Sequence, residues 1–393
     1  MIDNGRMWVK MNSRMNEYDR RTSESFKIGV IFMKKTLVKM VLAGAMALSF
    51  MSCGKKKVDI GIVLPTNAEP RWSREGENFA ALVKDKFAAE IMYSQRSSDL
   101  ERTNIDSLIN KGMKVLIIST PESTAAASAI EEAHKNGVTV ICYDRLILNT
   151  DAVDYFVTFN FHKVGMAQAQ YLLDHTEPGS KGNSLFLYAG APSDNNAFLI
   201  FGGAWEVLQP KIVDGTFVIR NSSKAVALQN KKELTRGEMS EIIDQITTDW
   251  DFDVAKKRAA DNLTMLKDSE KGVCFVLSPN DGTARSMGDE FAKDSAVTKY
   301  YTTGLDAELA SLQYIVDGKQ SMTVFNDTDT LEKDVLALAE RILKGERPTM
   351  TAFSDNGKKQ VPAQQSAITA IDKDNIQKLI DIDYNGAKTK LQM

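Results

Sequence analysis

Arginine, aspartate and asparagine recur directly behind the apolar, β-branched runs of this 393-residue sequence. Behind the run 58–64 stand Pro65, Thr66 and Asn67, followed by Arg71 and Trp72. Tyr143, Asp144 and Arg145 follow Cys142, Asn160 follows Phe159, and Asp194, Asn195 and Asn196 come shortly after Tyr188. Trp250 with Asp251, Asn280 with Asp281, Asp306, and Asn326 with Asp327 complete the series. Arg, Asp and Asn are planar groups that make two hydrogen bonds at once, and the tryptophans offer flat apolar faces. A pyranose ring asks for that combination, with paired hydrogen bonds to vicinal hydroxyls and an aromatic surface against its C–H face. A phosphate would call for glycine-rich loops or clustered cations, and neither GxGxxG nor a Walker-type glycine-lysine loop occurs. Asp, Asn, Ser and Thr are also the preferred helix N-caps, so each position alone reads equally as cap or ligand contact. Only the set points to a ligand.

Catalytic chemistry lacks its usual spacings. His134, His162 and His175 are the only histidines, with no HExxH and no Cys-His cluster of metal-ligand spacing. No GxSxG elbow is present. Asp249 and Asp251 could be imagined as a glycosidase pair, but nearness in sequence does not place two carboxylates on either side of a glycosidic bond. The chain is therefore expected to bind and not to turn over its ligand, with no cofactor and no metal.

The elements that must position these residues alternate in type. Strands are predicted over 58–64, 91–93, 114–118, 138–143, 155–159, 184–188, 217–220, 273–277, 300–303 and 322–325, with amphipathic helical stretches between them. Ten strands exceed one mononucleotide-binding half, so the fold class is α/β, with two doubly wound parallel-sheet lobes. In such sheets ligands sit at the carboxyl ends of strands, where the planar side chains fall. Between Asn221 and Trp250, Leu234, Met239, Ile242, Ile243 and Ile246 recur at helical spacing. They read as a surface helix packed on the second lobe, with a docking element for a partner as the alternative. Cys142 and Cys274 lie inside apolar runs and read as buried strand thiols, with a disulfide as the alternative. Apolar residues make up 43% and charged residues 26%, while 49 Lys and Arg nearly balance 52 Asp and Glu. A nucleic-acid binder would show a basic surplus, so that class drops out.

Met33, Lys34, Lys35 and Lys39 precede an uncharged run over 40–52 and then Cys53. The run is shorter than the ~20 residues that span a bilayer and reads as a secretory signal. Phe50-Met51-Ser52-Cys53 resembles a bacterial lipobox, which makes Cys53 the expected lipid attachment site and the protein an exported, membrane-anchored lipoprotein. Residues 33–52 are the expected signal peptide and 53–57 a linker. Residues 1–32 are polar and sit ahead of it as a non-native or mis-assigned extension, Met33 being the expected start.

With these motifs in hand, the region 58–378 resembles the periplasmic multiple-sugar-binding and D-xylose-binding receptors of the type I solute-binding fold. The resemblance is carried by Pro65-Thr66 with Arg71-Trp72, Tyr143-Asp144-Arg145-Leu146 and Asp194-Asn195-Asn196-Ala197-Phe198. Ser278-Pro279-Asn280-Asp281-Gly282, Gly304-Leu305-Asp306-Ala307-Glu308 and Phe325-Asn326-Asp327-Thr328 extend it. It implies a three-strand hinge crossing at 158–161, 304–306 and 325–327. One lobe would comprise 58–160 with 305–325, the other 161–304 with 326–393. It also implies Arg71, Arg145, Asn195, Asp281 and Asp306 as sugar-hydroxyl partners, Trp72 as a stacking surface, and Trp250 as the second lobe's contribution. Asn67 and Asn326 stand where relatives carry lysine, and Asn160-Phe161 replaces an Asp-Asn pair. The expected ligand is thus a small neutral sugar, a pentose or hexose, and not necessarily xylose or galactose. Lobe closure would present it to the membrane permease of an ABC importer or, alternatively, to a sensor such as a histidine kinase or chemoreceptor. The receptor is expected to be a monomer. A repressor with the same core would need an N-terminal helix-turn-helix in place of the export signal.

Overall fold

The structure is a computed structural model and describes residues 57–350 and 352–392. The expected signal peptide over 33–52, Cys53 and residues 1–32 lie outside the described residues. Strands β1 (Ile60–Leu64), β2 (Ala89–Tyr93), β3 (Val115–Ile118), β4 (Thr139–Tyr143) and β5 (Tyr155–Phe159) all belong to the first sheet. The second sheet comprises β6 (Asn183–Leu187), β7 (Phe217–Ile219), β8 (Gly272–Leu277) and β9 (Val297–Thr302). Next come β10 (Met322–Asn326), β11 (Ala352–Asp355), β12 (Gln360–Ser366) and β13 (Ile368–Asp372). The first sheet runs β11-β12-β5-β4-β3-β1-β2, with only β11 antiparallel to its neighbour, and the second runs β7-β6-β8-β9, all parallel.

Parallel strands covered on both faces must be apolar on both faces, and β1 and β3 are buried at every residue. Alternation sorts their side chains into two layers. Ile60, Ile62, Val115 and Ile117 pack with Trp72 and Phe79 on one side, while Val63, Leu116, Ile118 and Cys142 pack with Ile105 and Leu108 on the other. Cys142 in β4 and Cys274 in β8 are buried free thiols on different sheets, each pushed up to about 12 by burial.

The chain leaves the first lobe after β5, and the helix Phe161–Asp174 packs on the helix Asn195–Val213 in the second. Two glycines permit that close crossing. A Cβ on Gly165 would lie 1.8 Å from the Ile200 carbonyl oxygen, and one on Gly203 would lie 1.9 Å from that of His162. A second crossing follows β9, where Leu305 bridges to Val324, and a third follows β10.

The strand pairing departs from the expected division at the C-terminal end. The helix Thr328–Leu343 buries Leu331, Val335, Leu338 and Ala339 in the first lobe's core. Strand β12 extends the first sheet beside β5, with Ala363 opposite Phe156. Residues 328–366 therefore belong with the first lobe and not the second, because their apolar stripe and strand edge complement that sheet. Strand β10 joins neither large sheet and pairs antiparallel with β13, forming a separate layer at the crossings.

Glu332 on this helix is 1% exposed, and its carboxylate accepts a 3.4 Å hydrogen bond from Asn78 on the helix Pro70–Val83. Burial, with Glu75 nearby, pushes its pKa up to about 9. The folded protein thus holds a proton that the unfolded chain releases above ~4.3, and stability falls as pH rises from there towards about 9. Glu332→Gln is expected to match the parent near pH 4 and to melt roughly 2–6 °C higher at pH 8. Thermal denaturation across pH checks this, and parallel curves would show that Glu332 folds ionised.

Candidate functional site

The carboxyl ends of both sheets face one cleft, and short loops there hand each strand to a helix. Arg71 lies in the first turn of the helix Pro70–Val83, and Asp144 and Arg145 follow β4. Asp194 caps the helix Asn195–Val213, with its side chain accepting from the Asn196 N–H. Trp250 precedes the helix Phe252–Met265, and its ring lies against Gly190, where a Cβ would come within 2.0 Å of it. Leu305 and Asp306 come from the second crossing, and Phe161 from the first.

Arg71 is the hub. Its Nε donates to Glu75 at 2.6 Å, Nη1 donates to Asp306 at 3.1 Å and Nη2 donates to Asp144. Tyr143 Oη donates to the other Glu75 oxygen at 2.6 Å. Burial works against the Arg71 charge, yet Asp144, Glu75 and Asp306 together hold its pKa well above the ordinary value. Across the lobes, Asn196 Nδ2 donates to Asp144 Oδ1 at 3.2 Å, and Arg145 Nε lies 2.9 Å from Asp194 Oδ2. The Arg71 and Arg145 guanidinium groups stand 4.6 and 5.3 Å from the Trp72 ring centroid. Burial raises the pKa of Asp144 and of Asp194, with Arg71 and Arg145 respectively opposing it.

Two further features mark this cleft. Asp144, Asp249, Trp250, Asp306 and Ala307 all have φ between 48° and 98°, a conformation that costs non-glycine residues energy and gathers at functional sites. Several buried polar atoms here also lack an aligned hydrogen bond: Arg145 Nε, Asp194 Oδ2, Asn196 Oδ1 and Trp250 Nε1. Asp194 feels the Arg145 charge and the Trp250 N–H, but neither meets it in hydrogen-bond geometry. Buried polar atoms are normally paired, so such a group calls for an explanation.

Of the residues singled out in the sequence, Arg71, Trp72, Asp144, Arg145, Asp194, Trp250 and Asp306 line the cleft together. Five others stand elsewhere. Asn67 is exposed on the loop behind β1. Asn160 caps the helix Phe161–Asp174 and donates to Gln365. The Asn195 side chain turns outward and accepts from Arg236 at 2.7 Å. Asp281 is fully buried behind the wall, accepting from Gln320 Nε2 and the Glu308 N–H, both at 2.8 Å. Asn326 lies beneath Asp306 and donates to it at 3.1 Å. The cleft also takes in Glu69, Phe161, Ile200 and Leu305, which the sequence did not single out, and Asn196 and Asn280, which stood in the series but gave way there to their neighbours Asn195 and Asp281 as the expected contacts. Helical periodicity held the signal for one of them. Asn196 and Ile200 are four apart and share a face, whereas Asn195 is a turn of ~100° away.

The family profile described as "Periplasmic binding protein domain" matches residues 60–347. The multiple sugar-binding periplasmic receptor ChvE of Rhizobium radiobacter is 30% identical over 359 residues, covering 88% of this chain and 96% of that protein. A D-xylose-binding periplasmic protein of Haemophilus influenzae is 29% identical, with 88% and 96% covered. Among solved structures, a carbohydrate transporter solute binding protein from Chloroflexus aurantiacus in complex with D-glucose is 54% identical. It superposes with a TM-score of 0.83 over 86% of this chain and 99% of that one. The chain belongs to the periplasmic binding protein family.

Proposed function

We propose that this chain is the periplasmic sugar receptor of an ABC importer, capturing a neutral monosaccharide, with D-glucose the first candidate, by closing its lobes. The carrying observation is the group of buried polar atoms without aligned partners where the two lobes meet. A ring of hydroxyls, each able to donate and accept, would satisfy them. The inner cleft encloses ≈ 30 Å³, room for about one or two waters. Sugar entry therefore requires the lobes to part, and differential contact with both walls then shifts the population towards a form closed around the sugar, its cleft wider than this one. Arg71, Asp144, Arg145, Asp194, Asn196, Trp250, Asn280 and Asp306 are the proposed contacts. Glucose is the candidate because the 54%-identical relative was solved with it. Capture without turnover and delivery to a membrane permease complete the reading.

D-glucose at about 100 times its Kd is expected to stabilise the protein by ~2.7 kcal/mol, several degrees in a thermal-shift assay. A flat response to glucose, other hexoses and pentoses by folded protein would overturn the reading. Anchoring through Cys53 belongs to the same proposal. Cys53→Ser is expected to move the protein from the membrane fraction to the soluble one, which fractionation and immunoblotting would detect.

A further inference from the structure

Outside the inner cleft the walls open into a mouth of ≈ 440 Å³ that shares Glu69, Arg71, Trp250, Asn280 and Asp306 with it. We infer that this mouth is a second sugar subsite, and that the receptor takes glycosidically extended sugars, a neutral disaccharide or glycoside, with one unit in the inner cleft and the next in the mouth. The inference rests on the proposed sugar-binding function and adds a ligand class to it.

Three observations carry it. The mouth adjoins the inner cleft, with the same five residues lining both, so a substituent on the inner sugar that passes between those side chains enters it directly. Its chemistry repeats that of a sugar site. Phe252 is 45% exposed on its wall and offers an aromatic face, with the planar side chains of Gln95, Arg96 and Asp251 around it. Gln95 and Arg96 are themselves held at φ of 49° and 60°, and Thr66 Oγ1 donates to Gln95 Oε1 at 3.3 Å. Charge then settles the class. Each guanidinium of the mouth already meets a carboxylate. Arg96 lies 2.8 Å from Glu69 and 3.7 Å from Asp251, Arg285 lies 2.7 Å from Glu308, and Arg71 lies 3.1 Å from Asp306. Phosphorylated or acidic sugars would want a cation to spare; hydroxyls need only polar edges and a flat face.

The test is isothermal calorimetry of the full chain with D-glucose and with cellobiose, maltose and methyl β-D-glucoside, on the parent and on Phe252→Ala and Gln95→Ala. Both substitutions lie outside the inner cleft. At least one extended sugar is expected to bind the parent. Phe252→Ala should weaken that sugar about tenfold, and Gln95→Ala about fivefold, while glucose affinity changes by less than about twofold. Glucose binding in each variant reports that it is folded. Glucose binding with no extended sugar bound, or extended binding indifferent to both substitutions, overturns the subsite and leaves the receptor standing. Failure of glucose and every extended sugar on the parent overturns both.

Discussion

Arg71→Ala is expected to abolish measurable glucose binding and to cost the sugar-free protein about 3–5 kcal/mol of stability. Both effects follow from what the guanidinium neutralises. Glu75, Asp144 and Asp306 converge on it from the helix Pro70–Val83, the loop behind β4 and the second crossing, and the arginine side chain is only 9% exposed. Removing one cation leaves three carboxylates facing one another in a desolvated cleft, and an unpaired buried charge costs more than the pair contributed. Lysine would restore charge but not the three-way fork, so Arg71→Lys should recover part of the stability and little of the binding. The pH dependence has a defined sign. Burial already raises the Asp144 pKa against the pull of Arg71, and without that cation it rises further. A raised acid contributes stability at low pH that is lost as pH climbs from its unfolded value, ~3.9, through its folded one. The variant's deficit should therefore be smaller at pH 5 than at pH 8. Urea unfolding at both values, with calorimetry for glucose, measures it. Parent-like affinity would remove Arg71 from the binding site.

Much of this architecture was legible because buried parallel strands leave a blunt signature. Runs such as Ile60–Leu64 and Val115–Ile118 are apolar throughout, and all ten strands read from the sequence are present. β11, β12 and β13 carried no such run. β12 is QVPAQQS, with only Val361 and Ala363 buried, and what makes it a strand is its place beside β5, more than 200 residues earlier. That tertiary pairing also took 328–366 into the first lobe. The site was legible to the level of the loop and not of the side chain. Strand ends named the right segments, but whether Asn195 or Asn196, Asn280 or Asp281, and Asn160 or Phe161 faces the cleft depends on how each helix starts. One residue's difference turns a side chain through ~100°. The helix Arg236–Ile246 packs on the second lobe as its periodicity implied, burying Ile242, Ile243 and Ile246. That Arg236 would brace Asn195 and stack on Phe198 is long-range information the pattern does not contain.

Locking the lobes together should have the largest kinetic effect. Across the cleft, the Ser123 N–H donates to the Ser193 carbonyl at 2.9 Å, the Asn195 N–H donates to Ser123 Oγ at 2.9 Å, and Ser193 Oγ donates to the Pro121 carbonyl at 3.4 Å. Ser123 stands on the loop behind β3 and Ser193 on the loop behind β6, so these bonds form only when the lobes meet. Ser123→Cys with Ser193→Cys is expected to bridge on oxidation, the backbone hydrogen bond between the two residues holding them close across the cleft. Cys142 and Cys274 should not compete, because they are buried in separate sheets and their pKa values near 12 keep them un-ionised, and the test uses protein whose Cys53 carries the substitution Cys53→Ser. With the inner cleft at ≈ 30 Å³ when closed, sugar cannot reach a locked receptor. Oxidation in its absence should slow association by on the order of 100-fold or more, and reduction should restore the parent rate. Oxidation after loading should slow release to the same degree, since one opening step serves both directions. Stopped-flow tryptophan fluorescence, with and without dithiothreitol, follows both. If the oxidised protein exchanges sugar at the parent rate, these loops do not gate the cleft, and ligand must enter without the lobes parting.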